Sequence, residues 1–170
     1  MTGDDVFPDR HMSDRDKIEF MLEQEGWAMD AVRARPELDP PMPTYSYTVG
    51  FEDRFGFPEV CIFGLKPVAC RGLFGLIADA LAGGTDLPLD AAFIGLLDGG
   101  QPSAFLTVDA AAAVGMVPNL AEHRTLAGHP ADSFRLVQFA WPDRAGHLPW
   151  EDAFDPAMAP VQLLLGDPPA

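Results

Sequence analysis

The segment YSYTVGFEDRFGFPEVCIFGL, Tyr45 to Leu65, constrains the fold more than any other. Its first seven residues alternate. Tyr45, Tyr47, Val49 and Phe51 face one way, and Ser46, Thr48 and Gly50 face the other, which is the period of a strand. EDRFGF reads as a turn. PEVCIFGL is then a second apolar strand, and Pro58 stands at its first position, where a missing N–H is tolerated. The two runs pair as a hairpin with a longer loop. A helix over 66–81 follows, with Pro67 near its start and Gly83-Gly84 past its end. Val68, Leu73, Leu76, Ile77, Ala80 and Leu81 form its apolar stripe.

The rest of the chain falls around this unit. Ser13 caps a helix with Asp14 and Asp16 in its first turn and Gly26 as its stop. Trp27 to Val32 reads as a strand. RPELDPPMPT, with four prolines, is a loop. Two strands, Ala92–Leu97 and Ser103–Asp109, are expected on either side of the turn DGGQP. A helix is expected from Asp109 through the alanine run, stopping or restarting at Pro118. SFRLVQFAW, Ser133 to Trp141, reads as a strand, and Val161–Leu165 as a short apolar run. Hairpins dominate this order, so the expected class is α+β: a mainly antiparallel sheet, open or barrel-like, with two or three packed helices. Residues 1–12 read as a flexible arm and 13–170 as a single domain.

At 170 residues with 48% hydrophobic composition, the chain can bury a core. Its 26 acidic against 11 basic residues give a net charge of −15, which repels the phosphate backbone on which nucleic-acid affinity depends. Anionic membrane surfaces are disfavoured for the same reason. No apolar run nears the roughly 20 residues of a membrane span, and the polar, acidic start lacks signal-peptide character. The expected location is the cytoplasm. The open partner classes are small molecules and proteins, with a homodimer as one option.

Phosphate loops and nucleophile elbows are absent. Cys61 and Cys70 read as buried thiols, with no Cys/His spacing for zinc. His123 and His129 read as solvated. Asp143, His147 and Glu151 are spaced by four, but Pro142, Gly146 and Pro149 argue against the helix that would align them. Ser46, Thr48 and Gly50 offer a hydroxyl-lined track near Glu59, a groove with one carboxylate as base or anchor. The plainer reading is that small residues let the 66–81 helix pack close. Trp141 and Trp150 bracket a proline-stiffened loop that serves as a plug over the sheet end or as a binding surface. Asp143 is expected to cap the turn there.

Together, the Tyr45–Leu65 stretch, the helix after it and LVQFAWPDRAGHLPWEDAF resemble the bacterial proteins grouped as domain of unknown function 4262. The matching positions are Tyr47, Thr48, Val49, Gly50, Pro58, Glu59, Gln138, Trp141, Pro142, Asp143, Gly146, Pro149 and Trp150, within a likeness running from about Gly26 onward. Phe57 replaces the histidine usual in that pattern, and His147 stands where histidine is not usual. The resemblance implies that the TVG strand and the WPD/PW loop meet around one cleft, with Tyr47, Thr48, Glu59, Trp141, Asp143 and Trp150 as its candidate residues. It assigns no activity and identifies no cofactor. The sequence favours a non-enzymatic binding or accessory protein of the bacterial cytoplasm. The alternatives are an enzyme whose small-molecule pocket uses a carboxylate acid or base, and a binder of flavin or a similar cofactor.

Overall fold

The computed structural model describes residues 13–169, so the arm expected over 1–12 lies outside the described residues. Within them the elements are α1 (Asp14–Glu25), β1 (Ala28–Val32), β2 (Tyr45–Val49), α2 (Phe51–Phe55), β3 (Glu59–Phe63), α3 (Pro67–Ala82), β4 (Ala104–Val108), α4 (Ala110–Ala113), α5 (Pro118–Leu126) and β5 (Leu136–Ala140). The five strands form one sheet in the order β1-β2-β3-β5-β4.

The expected hairpin is present: β2 pairs antiparallel with β3, Ser46 opposite Ile62 and Tyr47 opposite Cys61. The sheet is mixed, however, because β3 and β5 run parallel, Glu59 opposite Leu136. It is also open, with β1 and β4 at its edges, so the barrel option is overturned, and five helices replace the expected two or three. The parallel pair follows from β5 entering between β3 and β4 after the long passage through β4, α4 and α5. A crossover of that length is what a parallel pair requires. All five residues of β5, LVQFA, are buried, as suits a strand covered on both faces.

Two local expectations are corrected. EDRFGF is not a plain turn, since Phe51–Phe55 is helical. Ala92–Leu97 is not a strand. It makes one isolated bridge, Phe93 to Ser103, and Gly95 at φ 112° bends it away. Its neighbour Asp90 covers the outer edge of β4 instead, its carboxylate accepting the Thr107 N–H (2.8 Å) and hydroxyl (2.6 Å). Capping an edge in this way removes a template for unwanted strand pairing.

Alternation assigns the two faces. Val60, Ile62, Phe105, Val137, Phe139 and Trp141 meet Phe74 and Ile77 of α3 on one. Tyr45, Tyr47, Cys61, Phe63 and Leu136 meet Ile18 of α1 and Leu120 of α5 on the other. Ser13 caps α1, accepting the Asp16 N–H at 3.1 Å, and Pro118 restarts the chain as the first residue of α5. The 161–165 run becomes a strap across the second face. Buried Gln138 holds it, donating to the Leu163 carbonyl (2.5 Å) and accepting the Leu165 N–H (2.6 Å). At Gly64, φ 87°, the Val161 carbonyl would stand 2.5 Å from any Cβ, so only glycine lets the strap pass. Among the described residues no helix is long and apolar enough to cross a membrane.

Candidate functional site

Beyond Tyr47–Cys61 the β2–β3 ladder opens, and side chains take over the bonding. Thr48 Oγ1 accepts the Val60 N–H at 2.9 Å and donates to Glu59 Oε1 at 2.8 Å. The Glu59 carboxylate also accepts the N–H groups of Gly50 (3.2 Å), Phe51 (2.9 Å) and Glu52 (3.1 Å). These are the orphan donors at the start of α2, which has no side-chain cap of its own. A residue from the next strand thus caps the helix. Glu59 is almost fully buried. Burial pushes its carboxyl up to about 7, against the pull of the four donors.

The track of Ser46 and Thr48 is wholly buried. α3 covers it, and Cys70 of α3 is fully buried within the same core layer. Small residues here let the helix approach the sheet. Tyr47 points to the opposite face. Its hydroxyl donates to Asp30 Oδ2 at 2.5 Å and accepts the Asn119 N–H at 3.0 Å, while Asn119 Nδ2 donates to the same Asp30 oxygen at 2.8 Å. Burial and the adjacent Asp30 raise the tyrosine above its ordinary range, so it stays protonated.

The WPD/PW stretch wraps the end of β5. Trp141 donates its indole N–H to the Phe63 carbonyl (2.9 Å), and the Gln162 amide bonds both the N–H and the carbonyl of Trp141, each at 2.9 Å. Asp143 accepts the N–H groups of Ala145 (3.0 Å), His147 (2.9 Å) and Asp155 (2.8 Å). The His147 N–H above all holds its carboxyl below the usual range. Gly146, φ 87°, completes the turn with an N–H to the Asp143 carbonyl. His147 Nδ1 lies 3.7 Å from Asp143 Oδ1 without a hydrogen bond, and Glu151 turns to the Leu148 N–H at 2.5 Å. The three groups spaced by four therefore serve the loop separately. Trp150 packs with Leu164 on Ala104, Leu106 and Ala140, the face opposite Trp141. The corner grips the sheet end from both sides.

The structure brings Thr48 and Glu59 into direct contact, and sets Trp141 and Asp143 together in the wall of a cavity of about 330 Å³ with Arg144, Asp155 and Met158. Tyr47 and Trp150 lie in separate surroundings. His123, read as solvated, is half-buried with Nε2 3.6 Å from Asp53 Oδ2. Among the described residues no group of three or more His, Cys, Asp or Glu is placed to hold a metal.

A second concavity, about 420 Å³, lies between the C-terminal half of α3 and the segment 85–96. Leu76, Ala80, Phe93 and Ile94 give it apolar walls, and Asp79, Thr85 and Asp86 are its polar lining. Apolar clefts of this size with few polar groups are the usual form of binding sites. Motif reading does not find this site. Its signal in the chain is one of charge: no Lys, Arg or His occurs between Arg71 and His123, while Asp79, Asp86, Asp90, Asp98, Asp109 and Glu122 all fall there.

A family model described as Domain of unknown function (DUF4262) matches residues 21–155. No curated protein and no solved structure matches the chain.

Proposed function

We propose, for a chain that belongs to the DUF4262 family, a non-enzymatic binding or accessory role in the bacterial cytoplasm. One observation carries this reading: the two acids best suited by sequence to acid–base work are occupied within the fold. Glu59 receives three backbone N–H groups and a hydroxyl, and Asp143 three backbone N–H groups. A catalytic acid or base must reach the proton it transfers, and these carboxylates are turned toward their own loops. The apolar groove beside α3 supplies a surface for binding.

A second reading, a small-molecule site at the WPD corner, is favoured by the cavity that Trp141 and Asp143 share. There Asp143, held ionised, would anchor a cationic group rather than donate a proton. Incubating the purified protein with a bacterial metabolite extract, followed by mass spectrometry, separates binding from catalysis. A binding protein consumes no metabolite beyond one equivalent. Consumption of many equivalents, lost in Glu59→Gln or Asp143→Asn, overturns the proposal.

A further inference from the structure

The outer face of α3 carries apolar side chains that no described residue covers. Val68 is 80% exposed and Leu76 41%, and across the groove Ile94 is 68% exposed. Scattered apolar residues on a surface need no explanation. These three are associated with one helix face and one concavity, and Leu76 and Ile94 line the same groove. Between Val68 and Leu76, on the same side of the helix, stand Gly72 and Gly75. Apart from the backbone of α3 itself, a Cβ at either would meet no heavy atom within 4 Å, so neither glycine makes room for another described part of the chain. Glycine weakens a helix interior relative to alanine, and no contact among the described residues offsets that. What the two glycines leave is a flat strip of backbone that a second helix can approach closely, since interaxial distance follows the side chains at the contact.

Charge indicates what kind of helix. Asp79 and Asp86 line the groove, and among the described residues no basic side chain lines it. Among the described residues neither is in an ion pair. The nearest cation in sequence, Arg71, pairs with Glu25 and lies over the Trp27 ring, 5.2 Å from its centroid. A second copy of the chain fits poorly, because it brings the same net charge of −15.

We propose that the outer face of α3, from Val68 to Asp79, and the adjoining groove dock an amphipathic helix of a partner protein whose apolar face is flanked by Lys and Arg. An apolar side chain of that helix enters between Leu76 and Ile94. Its flanking cations meet Asp79 and Asp86, and its backbone crosses α3 at Gly72 and Gly75. This is the helix-in-groove mode of recognition, and it rests on the binding role proposed above.

The test uses the full chain and a labelled 18-residue synthetic helix with leucine and alanine on one face and lysine on the other. A scrambled peptide of the same composition controls for attraction to an acidic protein. By fluorescence anisotropy the amphipathic peptide binds at least tenfold more tightly than the scrambled one. Gly72→Gln with Gly75→Gln weakens it at least tenfold while the thermal midpoint stays or rises, which separates lost docking from lost folding. Asp79→Lys with Asp86→Lys weakens it as much, whereas Asp152→Lys with Asp167→Lys does not. Equal binding of the two peptides, or unchanged binding by the glycine variant, overturns the proposal. If the peptide fails and the extract shows no turnover, the partner class falls and the binding role stands. Turnover of the extract removes the binding role itself.

Discussion

Replacing Glu59 by Gln tests whether burial or hydrogen bonding governs the group that caps α2. Four donors converge on the carboxylate and favour its charge, yet it is almost fully buried and its carboxyl rises from 4.5 to about 7. The native state therefore holds a proton across a window in which the unfolded chain has released it. Stability from this group is fully present below 4.5 and is lost as pH rises through about 7. A shift of that size corresponds to on the order of 3 kcal/mol. Urea denaturation at intervals from pH 4.5 to 8, followed by tryptophan fluorescence, measures it. Other acids contribute to the wild-type slope, so the informative quantity is the wild-type stability minus that of Glu59→Gln at each pH. That difference should fall by about 3 kcal/mol as pH rises across the window. A flat difference, or one that rises, would mean that the four donors keep Glu59 ionised despite its burial, and burial would then not govern this group.

Three further outcomes follow from the same structure. Gly72→Ala places a methyl in open space on α3 and should stabilise the protein by about 1 kcal/mol, raising the thermal midpoint by roughly 2–4 °C by differential scanning calorimetry. Asp143→Ala should lower the midpoint at neutral pH. Because its carboxyl is held below 3.8, that deficit should be full above pH 3.8 and shrink as pH falls further. Gln138→Ala leaves the Leu163 carbonyl and the Leu165 N–H without partners under the strap; it should cost about 2–3 kcal/mol in urea and speed proteolysis after residue 160.

The parts of the fold legible in the chain are those whose causes are local. β2 and β3 follow from alternation in YSYTV and from Pro58, and α3 follows from Pro67 and the glycines past its end; its expected stripe is overturned in part, since Val68 and Leu76 face outward and Cys70, Phe74 and Ala78 join Ile77 on the buried face. α2 is illegible because its cap is a carboxylate from β3, not a residue beside it in sequence. The parallel pairing of β5 depends on a crossover that turn signals do not encode, and the polar Gln138 interrupts the apolar run of LVQFA that would mark a strand covered on both faces. The contact between Thr48 and Glu59 was readable from adjacent strands. Tyr47 differs: alternation alone sends it to the face opposite Thr48, where it meets Asp30 and Asn119 from distant elements. Asp143 was readable as a turn cap, since its partners lie within twelve residues. The α3 groove was hidden because its walls come from α3 and an irregular segment, with no motif residue among them.

Amide hydrogen exchange, measured on the chain alone and with the amphipathic basic peptide, tests most directly where recognition occurs. Docking on the outer face of α3 should slow exchange across α3 and residues 85–96 and leave the WPD corner at 141–158 unchanged. Protection confined to the corner, or none anywhere, would contradict it.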